Sequence, residues 1–281
     1  MTAKFGKIDK LYFYPFKSLK GVLCNTLEFT EFGVGSQGLI DRQYVLIEET
    51  KDNECFQVIN FKSEPKMVLI NVSIINDGEL TLSAKGRSSI VLKEPADTAQ
   101  SVIVQMSGKK CEAKLCDASV SVWIKNFLNC ERSLHVACLS KNSKESGKDK
   151  AIKMPFQDQG HLLAVNESSF KDFQDRFPSM QNQSICIFRP NVIISEAEPW
   201  AEDILNSDIE INGSQLAYFR PCARCQGTCV DVESGELDSE RNVLSALGSF
   251  RPKVSNSPIF GVYYTFKNFM SISVGDIILQ T

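Results

Sequence analysis

The chain has 281 residues, of which 43% are hydrophobic and 23% are charged, and its formal net charge is −3. This length corresponds to one large domain or two small ones, and the hydrophobicity excludes a disordered chain. The near balance of 31 basic and 34 acidic residues argues against nucleic acid as a partner, since proteins that track phosphates are usually strongly basic.

Histidine is scarce and cysteine is common. His135 and His161 stand against ten cysteines, so one chain cannot build a three-histidine zinc centre, and a metal site would depend on sulfur. We find no secretory signal and no apolar stretch near the roughly twenty residues that a membrane span needs. We therefore expect a soluble, cytoplasmic protein with mostly reduced thiols and no integral membrane segment.

Short β-branched and aromatic runs between turn residues predict strands over much of the chain. The turn at 76–78 predicts a hairpin. The predicted strands are at 12–14, 44–47, 55–59, 67–75, 184–188, 191–195, 209–211, 215–219, 229–232, 261–266 and 277–279. Few helices intervene, so we expect an α+β protein with a largely antiparallel, barrel-like sheet.

Apolar spacing predicts three helices. The first follows Asp117 as N-cap, the second begins near Asn166 and is stopped by Pro178, and the third starts after Asp238 and ends at Gly248. Between the first two helices, the polar run 141–150 has no periodicity, which predicts a mobile surface loop.

Three thiols are concentrated in one run, Pro221-Cys222-Ala223-Arg224-Cys225-Gln226-Gly227-Thr228-Cys229. A structural zinc site would need a second cysteine or histidine pair, and an iron–sulfur cluster would need a fourth ligand. A redox dithiol normally precedes a helix, whereas strand-like residues follow here. A thiolate beside arginines remains, as a nucleophile or a soft metal ligand, and three buried apolar side chains are the alternative.

Cationic residues recur at predicted strand ends. Lys17 and Ser18 follow the first strand, Arg42 precedes the second, and Arg189 and Asn191 adjoin a later one. Singly, each motif is typical of a surface ion pair. Brought together by the fold, they would suit an anionic ligand.

Six motifs share an order and spacing that covers nearly the whole chain. They are Tyr14-Pro15-Phe16-Lys17-Ser18, Gly38-Leu39-Ile40-Asp41-Arg42, Phe188-Arg189-Pro190-Asn191-Val192, Pro221-Cys222-Ala223-Arg224-Cys225 with Val230-Asp231, Ser257-Pro258-Ile259-Phe260-Gly261 and Val274-Gly275-Asp276. This arrangement resembles the MOSC proteins that carry an N-terminal β-barrel domain. The resemblance implies a β-barrel domain over residues 1–95 and a MOSC domain over residues 96–281.

Within that superfamily the chain is similar to the amidoxime-reducing components and to the C-terminal domain of molybdenum cofactor sulfurase. The resemblance implies a molybdenum–molybdopterin cofactor (Moco) and places its single protein ligand to the metal at Cys225. It also implies that the cofactor pocket is lined by Lys17, Ser18, Arg42, Arg189, Asn191 and Arg224. A soft thiolate suits molybdenum, and cations suit the pterin phosphate.

The resemblance leads to a hypothesis of a molybdenum-dependent reductase of small N-hydroxylated compounds. It implies a b-type cytochrome and its NADH-dependent reductase as electron donors, since no nucleotide-binding fingerprint occurs in the chain. It leaves mitochondrial association open. Ala223 and the following Cys225-Gln226-Gly227-Thr228-Cys229 run are closer to the sulfurase pattern, so a cofactor-binding or carrier module without turnover is the alternative. A protein that keeps the fold without the cofactor is a third possibility.

Overall fold

The computed structural model describes residues 3–50, 55–76, 78–139, 156–157, 159–204, 207–240, 242–266, 268 and 270–281. Within these residues, the first strands are β1 (Ala3–Phe13), β2 (Val22–Cys24), β3 (Thr26–Thr30), β4 (Gly33–Ser36), β5 (Leu39–Ile40), β6 (Tyr44–Glu49), β7 (Phe56–Ile59), β8 (Asn71–Asn76), β9 (Glu79–Ser83) and β10 (Ile90–Leu92). The later strands are β11 (Ser101–Met106), β12 (Lys109–Leu115), β13 (Leu134–Leu139), β14 (Leu162–Asn166), β15 (Val192–Ser195), β16 (Ile209–Ile211), β17 (Ser214–Ala223), β18 (Lys253–Val254), β19 (Ser257–Phe266), β20 (Ser271–Ser273) and β21 (Ile277–Gln280).

The same residues form four α-helices: α1 (Ala118–Leu128), α2 (Glu167–Arg176), α3 (Ala201–Ile204) and α4 (Asn242–Phe250). Short 3₁₀ helices lie at Pro65–Leu69, Pro178–Met180, Ile185–Phe188 and Gln226–Cys229. No helix among the described residues is long and apolar enough to cross a membrane. The predicted loop at 141–150 lies outside the described residues.

A closed ring of seven strands organises most of the second half of the chain. Its order is β14, β15, β1, β21, β16, β17 and β19, and pairing of β19 with β14 closes it. Of these pairs, β14–β15 is parallel and the others are antiparallel. Because β1 belongs to this ring, the first residues of the chain lie among the last ones.

A second closed barrel contains β11, β12, β13, β6 and β7. Its inward side chains alternate along the strands; on β11, for example, Val102, Val104 and Met106 are buried. Two smaller sheets, β10-β9-β8 and β20-β3-β4-β5, complete the molecule. The predicted α+β class and the largely antiparallel, barrel-like sheet are confirmed.

The predicted domain boundary after residue 95 stays a prediction. In the structure, the chain passes this point between β10 and β11, and strands from both sides pair in the five-stranded barrel. The predicted hairpin at 76–78 joins β8 and β9, which pair antiparallel with Asn76 opposite Glu79. Asp77, in that turn, is outside the described residues.

The first two helices begin where their caps predict. The Asp117 carboxylate accepts a hydrogen bond from the Ser119 N–H, and the Asn166 side chain accepts one from the Ser168 N–H. The prediction that α4 ends at Gly248 is wrong. The helical pattern continues to Phe250, since the Arg251 N–H still donates to the Leu247 carbonyl at 2.9 Å.

Three apolar runs predicted as strands are wholly or partly 3₁₀ helix instead. The run 184–188 forms Ile185–Phe188, because the Ser184 hydroxyl caps the Cys186 N–H and Arg189 takes a left-handed conformation. Pro65 begins a 3₁₀ turn in the first part of 67–75, and the strand starts only at Asn71. In the run 229–232, Cys229 is the last residue of a 3₁₀ helix, and Val230 makes one isolated bridge to Leu237 instead of joining a strand.

Glu202 in α3 is a buried carboxyl group. Its Oε2 atom accepts hydrogen bonds from the Ser169 hydroxyl at 2.8 Å and the Asn166 amide at 3.1 Å. Its Oε1 atom is buried without a hydrogen-bond partner among the described residues. Burial raises the pKa of Glu202 to about 7, and the hydrogen bonds from Ser169 and Asn166 only partly offset this effect.

We predict that Glu202→Gln stabilises the protein at pH 8 by about 1–3 kcal/mol and has little effect at pH 5. The folded protein holds the proton more tightly than the unfolded chain. The wild type therefore loses stability as the pH rises from about 4.5 through about 7. Urea unfolding at both pH values tests this, with the exposed Glu198→Gln as control. An equal effect of Glu202→Gln at pH 5 and pH 8 would contradict the prediction.

Candidate functional site

Cys225 stands where β17 ends and a 3₁₀ turn begins. Its backbone is extended, and its carbonyl accepts hydrogen bonds from the N–H and the hydroxyl of Thr228, both at 3.0 Å. The Cys225 side chain is exposed, whereas the other nine cysteines, all described, are buried or half-buried. The turn therefore presents one accessible thiol and directs the neighbouring Cys222 and Cys229 into the core.

Arg224 holds this turn from inside the protein. Its guanidinium donates from Nε and Nη2 to the Phe260 carbonyl, at 2.9 and 2.7 Å, and from Nη1 to the Phe188 carbonyl at 3.0 Å. The Arg224 N–H also donates to the Pro258 carbonyl. The side chain is only 7% exposed, so its charge is stabilised by these carbonyls rather than by water. Arg224 is thus a positioning residue for Cys225.

Gly227 allows an aromatic ring to approach the same turn. A Cβ atom at this position would lie 2.8 Å from the Cε2 and Cζ atoms of Phe61 and 3.6 Å from Cys225 Sγ. A side chain at residue 227 would therefore displace the Phe61 ring beside the thiol. The ring reaches Cys225 from the opposite half of the sequence, which the sequence motifs did not indicate.

A cavity of about 240 Å³ on one side of Cys225 is named here the Lys17 cavity. Besides Cys225 it is lined by Lys17, Ser18, Gln57, Val58, Asn60, Phe61, Lys62, Gln105, Met106 and Ser107. Lys17 is buried, and its ammonium donates to the Phe156 carbonyl at 3.1 Å. The Ser18 hydroxyl is buried and has no hydrogen-bond partner among the described residues. The cavity thus offers a cation, an unsatisfied hydroxyl and a thiol to one ligand.

A larger cavity, of about 590 Å³, adjoins the other side of Cys225 and is named here the α4 cavity. Its walls are one face of α4 and the hairpin that joins β18 to β19. Across the two cavities the charged lining residues are Lys17, Lys62, Arg224 and Lys253, and no carboxylate is among the described residues that line them. The surroundings of the thiol therefore favour an anionic ligand.

Arg42 and Arg189 meet at Tyr14 rather than at the thiol. Their guanidinium carbons lie 4.7 Å and 4.3 Å from the centroid of the Tyr14 ring. Arg42 also forms an ion pair with the buried Asp41 carboxylate. Arg189 donates to the Leu19 carbonyl at 2.9 Å. Its guanidinium carbon also lies 5.4 Å from the centroid of the Phe61 ring, and Phe61 lines the Lys17 cavity.

The Asn191 side chain links two strands by hydrogen bonds. Its Oδ1 accepts a hydrogen bond from the Leu163 N–H at 3.1 Å, and its Nδ2 donates to the Tyr12 carbonyl at 3.2 Å. Neither Asn191 nor Arg42 lines the two cavities at Cys225. The structure therefore places Lys17, Ser18 and Cys225 in one cavity, and Asn191 in the framework that orients β1 and β14.

The backbone is strained at three of the seven predicted site residues. Ser18, Arg42 and Arg189 have φ angles of 73°, 58° and 52°, in the left-handed region that side chains rarely adopt. Such conformations cost of order 1–3 kcal/mol each and concentrate at functional sites. The strain agrees with the functional role that the sequence motifs suggested for these strand ends, whereas the left-handed backbone itself was not predicted from the sequence.

The described residues contain no group of three or more histidine, cysteine, aspartate or glutamate side chains that could hold a metal ion. The part of the chain that the structure describes thus offers no ready-made protein site of this kind around Cys225. A lone thiol above a cation-lined cavity is suited to a cofactor that carries both soft donor atoms and an anionic group.

Two families match the chain. The MOSC N-terminal beta barrel domain matches residues 5–131, and the MOSC domain matches residues 151–279. The chain therefore belongs to the MOSC-domain proteins that carry an N-terminal beta barrel domain, as the sequence motifs predicted.

Curated relatives align over nearly all of the chain. It is 26% identical to the mitochondrial amidoxime reducing component 2 of Bos taurus, over 98% of this chain and 83% of that protein. It is 28% identical to the mitochondrial amidoxime-reducing component 1 of Homo sapiens over the same shares, and 28% identical to that of Mus musculus over 96% and 81%.

We predict that iodoacetamide modifies Cys225 before any other cysteine, because the thiolate is the reactive form and must be accessible. Burial raises the pKa of Cys24, which is half-buried, to about 11, so this thiol reacts more slowly. Peptide mass mapping over a time course tests the order. Earlier modification of the buried Cys222 or Cys229 would contradict the described arrangement.

We predict that Arg224→Lys lowers the free energy of unfolding by about 2–4 kcal/mol, since one ammonium cannot reach both carbonyls and leaves a buried charge poorly paired. Arg220→Lys is the matched control, because Arg220 is exposed on β17, the strand that directly precedes Arg224, and its guanidinium stacks on Phe219. Chemical denaturation measures both. Equal losses for the two variants would show that the Arg224 contacts contribute little.

Proposed function

We propose that the protein is a molybdenum cofactor-dependent reductase of N-hydroxylated compounds. The single observation that carries this proposal is an exposed thiol, Cys225, between two cavities whose described linings hold cations and no carboxylate. The family and the names of the relatives, which are amidoxime-reducing components, support the reaction class.

The residues of the Lys17 cavity fit the cofactor that this function needs. The Cys225 thiolate would be the protein ligand to the metal, and a dithiolene would supply the other sulfur donors that the described residues do not provide. Lys17 would neutralise anionic oxygens, and the unpartnered Ser18 hydroxyl would donate a hydrogen bond to one of them. The other residues that the family resemblance implies for the cofactor pocket, Arg42, Arg189, Asn191 and Arg224, would act around this pair.

Their roles differ in this proposal. Arg224 and Asn191 hold the backbone that presents the site, because their side chains are engaged with main-chain groups. Arg189, which contacts both the Tyr14 ring and the Phe61 ring, would supply positive charge beside the Lys17 cavity. Arg42, which is paired with Asp41, would hold the Tyr14 ring from its other contact. When bound, the cofactor supplies the two-electron exchange that cleavage of an N–O bond requires.

The overall reaction is balanced by two electrons and two protons. An amidoxime loses its hydroxyl oxygen as water and becomes an amidine, and the electron donor is oxidised by two electrons. The electron donors we propose are a b-type cytochrome and an NADH-dependent cytochrome reductase. The location we propose is the cytoplasm, with association of the protein with mitochondria left open. The mitochondrial names of the relatives support such an association.

We predict that Cys225→Ala lowers both the molybdenum content and the reduction of benzamidoxime by about a hundredfold or more, because the only protein ligand to the metal is removed. The protein is produced in a cofactor-synthesising host and assayed with a reduced viologen dye, and molybdenum is measured by mass spectrometry. Cys229→Ala is the matched control, since that thiol is buried in the same turn. It should retain both properties.

Two other outcomes would contradict the proposal. Stoichiometric molybdenum in the wild type without any reduction of benzamidoxime would identify a binding or carrier module. No molybdenum in either the wild type or Cys225→Ala would show that the fold is retained without the cofactor.

A further inference from the structure

The α4 cavity is the second space that reaches Cys225, and the assigned cofactor residues Lys17 and Ser18 do not line it. Its walls are formed by α4, with Leu244 and Gly248, and by the β18–β19 hairpin, with Lys253 and Asn256. At about 590 Å³ it is large enough for a small organic molecule. Cys225 thus lies between this larger cavity and the smaller Lys17 cavity.

The hairpin that forms one wall has a defined geometry. Lys253 pairs with Pro258 and Val254 with Ser257, which leaves a two-residue loop at 255–256. Ser255 and Asn256 both have positive φ angles, 49° and 65°, as a type I′ turn requires. This turn type matches the natural twist of paired strands, so the position of Lys253 is set by the backbone.

A buried ion pair anchors the base of the hairpin. The Arg251 side chain is 5% exposed and donates from Nη2 to the Asp203 carboxylate at 2.7 and 2.5 Å. Its Nε donates to the Ile259 carbonyl at 3.2 Å, across the two strands. These charge-assisted hydrogen bonds hold the wall against α3.

Lys253 extends across the face of α4. A Cβ atom on Gly248 would lie 3.8 Å from its Cε and 4.0 Å from its Nζ. The ion pairs of the described residues do not include Lys253. The other charged residue of the cavity lining, Arg224, is committed to backbone carbonyls, so Lys253 is the cation that can pair with a ligand there.

We propose that the α4 cavity admits the substrate to Cys225 and that Lys253 is a specificity-determining residue that favours substrates with a carboxylate group. The inference rests on the proposed reductase function and adds a substrate class to it, small N-hydroxylated compounds with an anionic substituent. The remaining polar side chains of the cavity, such as Ser245 and Asn256, are neutral and would accept or donate hydrogen bonds to such a molecule without repelling its charge.

The first test compares benzamidoxime with 4-carboxybenzamidoxime on the molybdenum-loaded protein. We expect Lys253→Gln to raise the KM for the carboxylate substrate by about three- to fivefold, and Lys253→Glu by more, while the KM for the neutral substrate stays within about twofold. Lys253→Arg should restore the preference, and added salt should weaken it. Lys171→Gln is the matched control, because Lys171 is exposed on α2 and does not line the cavity.

Turnover of both substrates with no change in their KM ratio across the Lys253 variants would overturn the inference and leave the reductase function intact. Molybdenum binding without turnover of either substrate would overturn the reductase function instead. The role of Lys253 is then decided by a measurement that needs neither cofactor nor turnover.

That measurement is the alkylation of Cys225 in cofactor-free protein by iodoacetate, an anion, and by iodoacetamide, which is neutral. We expect Lys253→Gln to lower the ratio of the two rates by about threefold, because the cation attracts the anionic reagent to the thiol. Lys62→Gln removes the charge from the opposite cavity and should change the ratio less. The inference would be overturned if Lys62→Gln lowered the ratio of rates more than Lys253→Gln, or if neither variant changed it.

Discussion

The buried guanidinium of Arg224 is the contact on which the site depends. Placing this charge in the core is costly unless every donor finds an acceptor, and the carbonyls of Phe260 and Phe188 supply that need. The carbonyls belong to β19 and to the 3₁₀ segment before Arg189, so one side chain joins three separate parts of the chain. The next residue, Cys225, is consequently the one cysteine whose thiol is exposed.

The two barrels give this thiol its surroundings. β17 ends just before Cys225 and β19 forms part of one cavity wall, whereas Lys17, Ser18 and Phe61 come from the first quarter of the chain. Exclusion of carboxylates from both described cavity linings makes the region electropositive in a chain whose net charge is −3. The charge at the site therefore depends on which side chains line it rather than on the net charge. The site attracts anions although the whole protein is slightly acidic.

Local signals predicted much of the secondary structure, and their failures have a common cause. The caps at Asp117 and Asn166 and the stop at Pro178 act within a few residues, so they can be recognised directly. The run 184–188 has a composition typical of strands, but it forms a 3₁₀ turn whose apolar side chains pack against the core. Composition reports that such residues are buried, and it does not report in which backbone conformation.

By itself the sequence determined the fold class and the family, because these depend on motif order and on short-range spacing, and the family resemblance in turn implied Cys225 as the proposed ligand. Only the tertiary structure decided how the seven proposed site residues divide. Lys17 and Ser18 share a cavity with Cys225, whereas Asn191 bonds two strands and Arg224 holds the turn. These residues follow or precede strands, so the pairing and register of distant strands set which of their side chains meet, and sequence spacing does not reveal that pairing.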